Sequence, residues 1–345
     1  MQRTLKIAYL QAVLPPVGTG GVSHQVDLLA RTMVERGHDV TVFTLAPAPA
    51  AQPYRIIVLP LPPVGPLGPI FGAGLAFRTV GFAQFDVVHA HGDAWAISKL
   101  PLVRTFYGTA LQEALSATST RRRVAQTMCY GLELVSSLRA PVTTAISCNT
   151  RRFMPGIDMV VPCAIDRAYK PIPTNNRFDE PTILLVAGLL GGRKRGHLVL
   201  SAFREVRRQL PSARLIAVTH DAIDQPGVMA VSNVPTQDLA ILFQRSWVLC
   251  SASSYEGFGL PLAEAMASGL PVVSTPNPGA LEVLRGGELG RIVQPESLVE
   301  ALLGVLDDKT LATDLRIRGL EAAKIYSVEK VCSQYEAAYI RAIES

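Results

Sequence analysis

The stretch from Ser254 to Pro271 reads SYEGFGLPLAEAMASGLP and carries the clearest structural signal in the chain. It follows a short apolar run that ends near Cys250, which is typical of a buried strand. Two glycines near its start predict a tight turn, and Pro261 suits the first turn of a helix, where no backbone N–H is needed. Gly269 is a favourable helix stop. The stretch therefore predicts a strand, a glycine turn and a short helix.

The same alternation of strands and helices runs through the rest of the chain. Short β-branched runs and amphipathic stretches alternate up to residue 146, and the alternation restarts at Thr182. This order is typical of parallel sheets covered by helices. The residues in between are rich in proline and asparagine, which predicts a linker. We therefore expect two doubly wound α/β domains, residues 1–166 and 182–325, joined by a linker at residues 167–181. A ligand should bind at the carboxyl ends of the strands, in the cleft between the domains.

The composition supports a chain that folds around sizeable cores. Its 345 residues are 48% hydrophobic and 18% charged, which argues against disorder and suits two domains. The net charge of +5 is mild, and the dense basic runs of nucleic-acid binders are absent, so we expect no nucleic-acid partner. The five cysteines form no CxxC pair, which indicates reduced cysteines in a cytoplasmic protein and no zinc site. No protein partner is evident from the sequence.

One uncharged stretch is long enough to raise the question of a membrane. Residues 56–77 carry no charge, which on length alone would suffice to cross a bilayer. The stretch contains repeated prolines and glycines, and prolines break helical hydrogen bonding. We therefore predict a strand at Ile56–Leu59 followed by a loop at Pro60–Ala76. This loop would contact an apolar acceptor or a membrane surface.

The quoted stretch also carries two acidic residues whose spacing suggests a binding role. Glu256 lies in the turn before the predicted helix, and Glu264 is expected in its first turn. The free amides of Gly259 and Leu260 would form an anion site at the helix N-terminus, suited to a diphosphate. Carboxylates only accept hydrogen bonds, so they suit paired sugar hydroxyls. We predict that Glu264 holds a ribose diol and that Glu256 holds a second sugar.

This segment resembles the donor motif of retaining glycosyltransferases of the GT-B fold, especially those of glycosyltransferase family 4. The resemblance rests on EGFG at residues 256–259 and EAMASGLPVV at residues 264–273. Weaker similarities lie at residues 20–40, 86–91 and 161–166 and in the last helix. The resemblance implies two Rossmann-like domains and a sugar-nucleotide donor bound by residues 256–260, which include Gly257 and Phe258. It also implies that residues 326–345 form a helix that returns to the first domain.

Two basic residues follow the first strand of the second domain. Arg193 and Lys194 stand on a glycine-bearing turn, where two cations can neutralise a diphosphate and its leaving charge. In the family, an arginine follows the first glycine of this turn and a lysine stands five residues further on. Lys194 matches the lysine, whereas Leu189 occupies the arginine position and Arg193 is the candidate substitute. A solvated basic turn is the alternative.

Three other positions complete the predicted site. Gly20 and Gly21 follow the first strand and would let the backbone approach the donor. They do not form GxGxxG, and no acidic residue ends the second strand, so we reject an NAD site. The loop after Val228 would read the nucleobase through backbone groups of Ser232 or Asn233.

Two side chains of the first domain are candidates for a place beside the transferred sugar. The family often has a histidine after the fifth strand, and here Tyr107 stands at that position. Tyrosine can donate a hydrogen bond to a sugar but is not a near-neutral acid or base. His91, at the end of another strand, could reach the ligand or serve the structure alone.

These observations, together with the resemblance, predict a cytoplasmic, metal-independent glycosyltransferase that needs no cofactor besides its UDP- or GDP-sugar donor. Retention of configuration is implied by the resemblance alone. The absence of a clustered His/Asp/Cys set argues against a metal. The catalytic candidates are Glu256, Lys194, Arg193, His91 and Tyr107. The acceptor would be a glycan, a lipid-linked glycan or a small natural product. Two alternatives stay open, a nucleotide-sugar epimerase of the same fold and a binding protein without turnover.

Overall fold

The computed structural model contains two compact units. The first comprises Met1–Ala164 together with Val328–Ser345, and the second comprises Ile165–Ser327. Each is built on a parallel sheet, as the alternating sequence pattern predicted. The described residues are 3–17, 20–47, 51–63, 65, 68–92, 94–98, 100–117 and 119–345.

The first unit contains a seven-stranded parallel sheet in its described residues, in the order β3-β2-β1-β4-β5-β6-β7. Its strands are β1 (Lys6–Leu10), β2 (Asp39–Thr44), β3 (Arg55–Val58), β4 (Val87–Ala90), β5 (Leu102–Phe106), β6 (Val142–Ala145) and β7 (Met159–Val160). The strands β4, β5 and β6 are buried along their whole length, as expected for a sheet covered on both faces. The strand order reverses between β1 and β4. Such a reversal leaves a crevice at the carboxyl ends of the two strands.

Five helices of the described chain follow these strands: α1 (Gly21–Glu35), α2 (Gly68–Arg78), α3 (Ala110–Ser116), α4 (Thr120–Arg139) and α5 (Cys148–Phe153). The prediction of a loop throughout Pro60–Ala76 is wrong, because α2 begins at Gly68. Most of the prolines precede it, and Pro69 stands in its first turn, where proline is tolerated. The end of α2 is anchored by Phe77, which is completely buried. Within the described part of the chain, no helix combines the length and apolar character needed to cross a bilayer.

The second unit is built on six described parallel strands in the order β10-β9-β8-β11-β12-β13. They are β8 (Thr182–Gly188), β9 (Arg214–Thr219), β10 (Val228–Val231), β11 (Val248–Ser251), β12 (Val272–Ser274) and β13 (Arg291–Ile292). The accompanying helices are α6 (Gly196–Gln209), α7 (Thr236–Arg245), α8 (Leu260–Ala267), α9 (Pro278–Val283), α10 (Leu298–Asp307) and α11 (Lys309–Ala323). Here the strand order reverses between β8 and β11.

The last helix, α12 (Val328–Glu344), belongs to the first unit although it follows the second in sequence. Its Tyr335 and Tyr339 are buried against the sheet. The Tyr339 hydroxyl lies 2.9 Å from the Tyr9 hydroxyl and 2.8 Å from Nδ1 of His89. Because buried hydroxyls need partners, these contacts fix the helix to β1 and β4.

Candidate active site

The loops that follow β8 and β11 meet at the point where the strand order of the second unit reverses. The Ser254 amide donates a hydrogen bond of 2.8 Å to the Arg193 carbonyl oxygen. Gly192 supplies a left-handed backbone conformation, with φ of 57°, just before Arg193. The loop carrying Lys194 is thus tied to the loop carrying Glu256. Ligands of doubly wound sheets bind at this kind of position.

Lys194 and Glu256 form an ion pair across this junction. Lys194 Nζ lies 2.7 Å from Glu256 Oε1, and the two side chains are 26% and 15% exposed. Together with Gly259 and Pro261 they line a water-sized cavity of about 10 Å³. The structure therefore brings two of the predicted catalytic residues into direct contact. An anion that binds Lys194 must share the ammonium with Glu256 or displace it.

Arg195 was missed as a member of this junction. Its backbone is left-handed, with φ of 46°, which is uncommon for a residue with a side chain. Its guanidinium donates to the Ala252 carbonyl at 2.7 Å and to the Thr275 hydroxyl at 3.0 Å. Arg195 therefore positions the β8 loop against the β11 loop. The sequence Arg193-Lys194-Arg195 indicates a basic turn, but it does not indicate which of the three residues has a structural role.

The start of α8 is shaped by two glycines. Gly259 is the N-cap of α8 and has φ of 91°, so its left-handed conformation favours glycine. Gly279, at the start of α9, donates its amide to the Glu256 carbonyl at 3.1 Å. A Cβ atom on Gly279 would lie 2.7 Å from the Phe258 carbonyl oxygen, so only glycine fits. The Phe258 side chain is buried and contacts the ring of Tyr326, which makes it a core residue.

Glu264 does not occupy the position expected for it. It is the fifth residue of α8 and therefore lies in the second turn, because the helix starts at Leu260 and not later. The side chain is half-buried, and the hydroxyl of Tyr169 donates a hydrogen bond to it. Burial, with a smaller contribution from the charge of Asp166, raises the pKa of Glu264 to about 8. The carboxyl is thus mostly protonated at neutral pH, whereas we expected an ionised acceptor.

This raised pKa makes stability depend on pH. An unfolded glutamate titrates near ~4.3, so between that value and about 8 the folded chain holds a proton that the unfolded chain has lost. The stabilisation from this proton is complete at low pH and is lost as pH rises to about 8. Glu264→Gln should remove this dependence. The difference in free energy of unfolding between wild type and variant should change by up to about 1.4 kcal/mol per pH unit.

Urea unfolding of both proteins at a series of pH values measures this difference. Glu300→Gln, which alters an exposed glutamate of α10, is the matched control and should run parallel to wild type. Parallel curves for wild type and Glu264→Gln would show that Glu264 keeps an ordinary pKa.

The first unit places its predicted residues at its own strand reversal. Gly20 is the N-cap of α1 and Gly21 its first residue, directly after the loop from β1. A Cβ atom on either glycine would meet no atom within 4 Å, so packing inside the unit does not demand glycine there. His91 follows β4, the other strand of the reversal. These three residues therefore lie where a ligand of the first unit is expected.

His91, which is buried, and Tyr107, which is partly exposed, form a hydrogen-bonded pair. His91 Nδ1 lies 3.0 Å from the Tyr107 hydroxyl, and among the described residues His91 Nε2 has no hydrogen-bond partner. Burial, and to a lesser degree the charge of Arg104, lowers the pKa of His91 to about 3. Burial also raises the pKa of Tyr107 well above its ordinary value. Both side chains are neutral over the physiological range, so neither exchanges protons there.

Tyr107→Phe should therefore keep measurable transferase turnover. The variant loses one hydrogen bond to His91, worth about 0.5–1.5 kcal/mol, and no proton-transfer group. Steady-state kinetics at several pH values, together with donor binding by calorimetry, measure the effect. A rate loss of about 10²–10⁴-fold with donor binding intact would instead identify Tyr107 as a general acid or base.

Ser232 and Asn233 lie apart from the ion pair. They follow β10, which is separated from β11 by β9 and β8, and both side chains are exposed. Asn233 has a left-handed backbone, with φ of 52°. All four residues follow the carboxyl ends of strands in the same parallel sheet. Neither Ser232 nor Asn233 forms a hydrogen bond with Lys194 or Glu256.

Comparison with known proteins assigns the chain to a family. A model described as Glycosyltransferase Family 4 matches residues 19–169, and one described as Glycosyl transferases group 1 matches residues 170–321. The phosphatidyl-myo-inositol mannosyltransferase of Mycobacterium tuberculosis (strain CDC 1551 / Oshkosh) is 27% identical over 93% of each chain. The chain is a family 4-like glycosyltransferase.

Solved structures agree with the fold of this glycosyltransferase. Sucrose-phosphate synthase from Thermosynechococcus elongatus superposes with a TM-score of 0.78 at 20% identity, covering 98% of each chain. HepE from Anabaena, in complex with UDP and glucose, has a TM-score of 0.73 at 18% identity and covers 96% of this chain and 98% of its own. The GT-B fold expected from the sequence is thereby confirmed. The glycosyltransferase uses a sugar-nucleotide donor.

Proposed function

We propose that the enzyme transfers a hexosyl group from a UDP- or GDP-sugar to a hydroxyl group, with retention of configuration and without a metal ion. The observation that carries this proposal is the Lys194–Glu256 pair at the strand reversal of the second unit. It supplies one cation and one carboxylate at 2.7 Å, within reach of a single ligand. The lysine cation suits a diphosphate, and the carboxylate suits a sugar hydroxyl.

The mechanism follows from the charges at this junction. When the donor binds, Lys194 turns to the diphosphate, and Arg193, on the same turn, adds a second positive charge. The amides of Gly259 and Leu260, at the start of α8, complete the anion site. These groups stabilise the negative charge that develops on the leaving diphosphate.

The freed Glu256 then accepts hydrogen bonds from hydroxyls of the transferred sugar. Glu264, one turn further into α8, holds the ribose diol. Ser232 or Asn233 reads the base. His91 and Tyr107 contact the transferred sugar as neutral hydrogen-bonding groups, which is consistent with their displaced pKa values.

The acceptor is proposed to be presented at a membrane surface on the cytoplasmic side. The relative from Mycobacterium tuberculosis is named for phosphatidyl-myo-inositol. In this chain, helix α4 carries three consecutive exposed arginines at 121–123, followed by Val124, 56% exposed, and Met128, 42% exposed. A helical turn that exposes basic and apolar side chains suits an anionic lipid surface. A lipid-linked acceptor is therefore favoured over a free glycan or a small natural product.

Two experiments in sequence test the proposal. Thermal unfolding with UDP, GDP, TDP or ADP identifies the base, because a bound ligand raises the unfolding temperature. Incubation of UDP-glucose or GDP-mannose with the enzyme then follows, with and without a lipid acceptor extract. Donor loss that requires the extract supports transfer. An isomerised donor would indicate an epimerase, and binding without donor loss would indicate a sensor; either result contradicts the proposal.

A further inference from the structure

A second cavity of the same unit lies away from the donor junction. Its volume is about 490 Å³, which falls within the ~300–1,000 Å³ typical of small-molecule sites. Asp179 and Trp247, which line it, stand just before β8 and β11. The cavity is thus at the amino ends of the two strands, whereas Lys194 and Glu256 follow their carboxyl ends. It is a separate site from the one proposed for the donor.

The charge around this cavity is predominantly positive. Arg177, Lys309 and Arg316 line it, against a single carboxylate, Asp179. Among the described residues, none of these three cations has a carboxylate within salt-bridge distance. Arg177 donates to the Gly269 carbonyl at 3.1 Å and Arg316 to the Ile172 carbonyl at 3.3 Å. Both guanidinium groups therefore keep donors that no protein anion uses.

The two arginines are close enough to affect each other. Burial, and then the positive charge of Arg316, lowers the pKa of Arg177. An arginine nevertheless stays protonated in a protein, so the like charges remain and repel each other. A bound anion would relieve this repulsion and would be held by charge-assisted hydrogen bonds.

Part of the cavity lining is apolar. It is formed by the ring of Trp247 with Val305 and Leu306. Trp247 Nε1 donates to the Phe178 carbonyl at 2.8 Å, which fixes the ring orientation. A ligand that uses both parts of the lining carries an anionic group and a carbon ring or chain.

We propose that this cavity binds a small phosphate ester, with its phosphate on Arg177, Lys309 and Arg316 and its carbon body against Trp247. Arginine suits phosphate because its planar fork can form two parallel hydrogen bonds. A purely structural role for the arginines, as cations at the C-terminal end of α8, accounts for Arg177 and Arg316. It accounts neither for Lys309 nor for the cavity. The proposal uses no residue of the donor junction and goes beyond the transfer reaction.

Tryptophan fluorescence can detect this ligand locally. The chain has two tryptophans, Trp95 in the first unit and Trp247 in the cavity. In a Trp95→Phe background, emission therefore reports on Trp247 alone. Titration with glucose 6-phosphate should give a saturable change, inorganic phosphate a weaker one, and glucose none. A saturating nucleoside diphosphate should not abolish the fluorescence change, because it is proposed to bind at the carboxyl ends of the strands, whereas the cavity lies at their amino ends.

Variants separate binding from damage to the fold. Arg316→Gln should weaken glucose 6-phosphate about tenfold or more, the loss expected for a hydrogen bond to a charged group. Lys309→Gln should weaken it several-fold, and because Lys309 is exposed the variant should fold normally. Arg318→Gln, two residues further along α11, is the matched control: Arg318 is exposed, pairs with Asp314, and should leave the affinity unchanged.

Several outcomes would overturn the inference. They are a lack of saturable change with glucose 6-phosphate, an equal change with glucose, or wild-type affinity in both Arg316→Gln and Lys309→Gln. Equal affinity for inorganic phosphate and glucose 6-phosphate would exclude the ester and its contact with Trp247. The fluorescence change requires no transferase turnover, so failure of the proposed transfer reaction would leave this test intact.

Discussion

Lys194→Ala is expected to lower transferase turnover by about 10²–10³-fold, the range measured when one preorganised electrostatic donor is removed from an active site. Lys194 is the cation paired with Glu256 at 2.7 Å, and in the proposed mechanism it stabilises the charge on the leaving diphosphate. Alanine removes this charge and leaves Glu256 half-buried without its partner. Steady-state kinetics with the intact donor measure the effect. Lys324→Ala, an exposed lysine that pairs with Glu321, is the control and should retain wild-type turnover.

The double variant Arg193→Ala/Lys194→Ala extends this prediction to binding. Loss of both cations should weaken nucleoside diphosphate binding by roughly 2–5 kcal/mol, from about 1.5–3 kcal/mol for each charged hydrogen bond with allowance for non-additivity. Binding of the nucleoside without phosphates should barely change. If calorimetry finds the same loss for nucleoside and nucleoside diphosphate, the substitutions have damaged the fold instead of the diphosphate site.

Among the single variants, Glu256→Ala should have the second largest effect on turnover, without a loss of nucleotide affinity. We expect a rate loss of about 10–150-fold, the kinetic equivalent of about 1.5–3 kcal/mol for a lost charged hydrogen bond to the transferred sugar. Nucleoside diphosphate affinity should be unchanged or slightly tighter, because Lys194 no longer has to leave a carboxylate before it binds phosphate. Titration calorimetry with the diphosphate and kinetics with the intact donor separate the two quantities.

Glu264→Ala is the variant with which Glu256→Ala should be compared. As the proposed partner of the ribose diol, the neutral Glu264 carboxyl should contribute about 0.5–1.5 kcal/mol to the affinity for the diphosphate, in contrast to Glu256. Equal losses of nucleotide affinity in the two alanine variants would refute the division of roles. If neither variant loses nucleotide affinity, the segment from Ser254 to Pro271 does not form the donor site.

Much of the fold could be predicted from the sequence because buried strands leave a local signal. The strand β3 and the helix α8 were each predicted within one residue of their observed bounds, since apolar runs, Pro261 and Gly269 mark their ends. Helix α4 was missed because it is mostly exposed, so no apolar periodicity reveals it; Ser136 and Ser137 are its buried residues. Helix α2 was missed because prolines before it suggested a loop throughout.

The candidate site was predictable as a set of residues but not as an arrangement. Lys194 and Glu256 are 62 positions apart, and their contact depends on β8 lying beside β11. Nothing in the local sequence states that adjacency. The raised pKa of Glu264 comes mainly from its burial, with a smaller contribution from the charge of Asp166, which belongs to the segment that precedes the second sheet. Residues that are distant from Glu264 in sequence thus affect its pKa, and the motif at residues 254–271 alone does not reveal them.

The position of α12 has a consequence for the order in which the protein is made. The first unit is not complete until this last helix has left the ribosome, because its Tyr339 supplies the partner of Tyr9 and His89. The second unit is continuous in the chain and can fold while α12 is still being synthesised. At about 5–20 residues per second, the early strands therefore wait on the order of ten seconds or more with apolar surface exposed. The first unit is synthesised before the second but is completed after it. We therefore expect the nascent chain to need protection from aggregation during that interval.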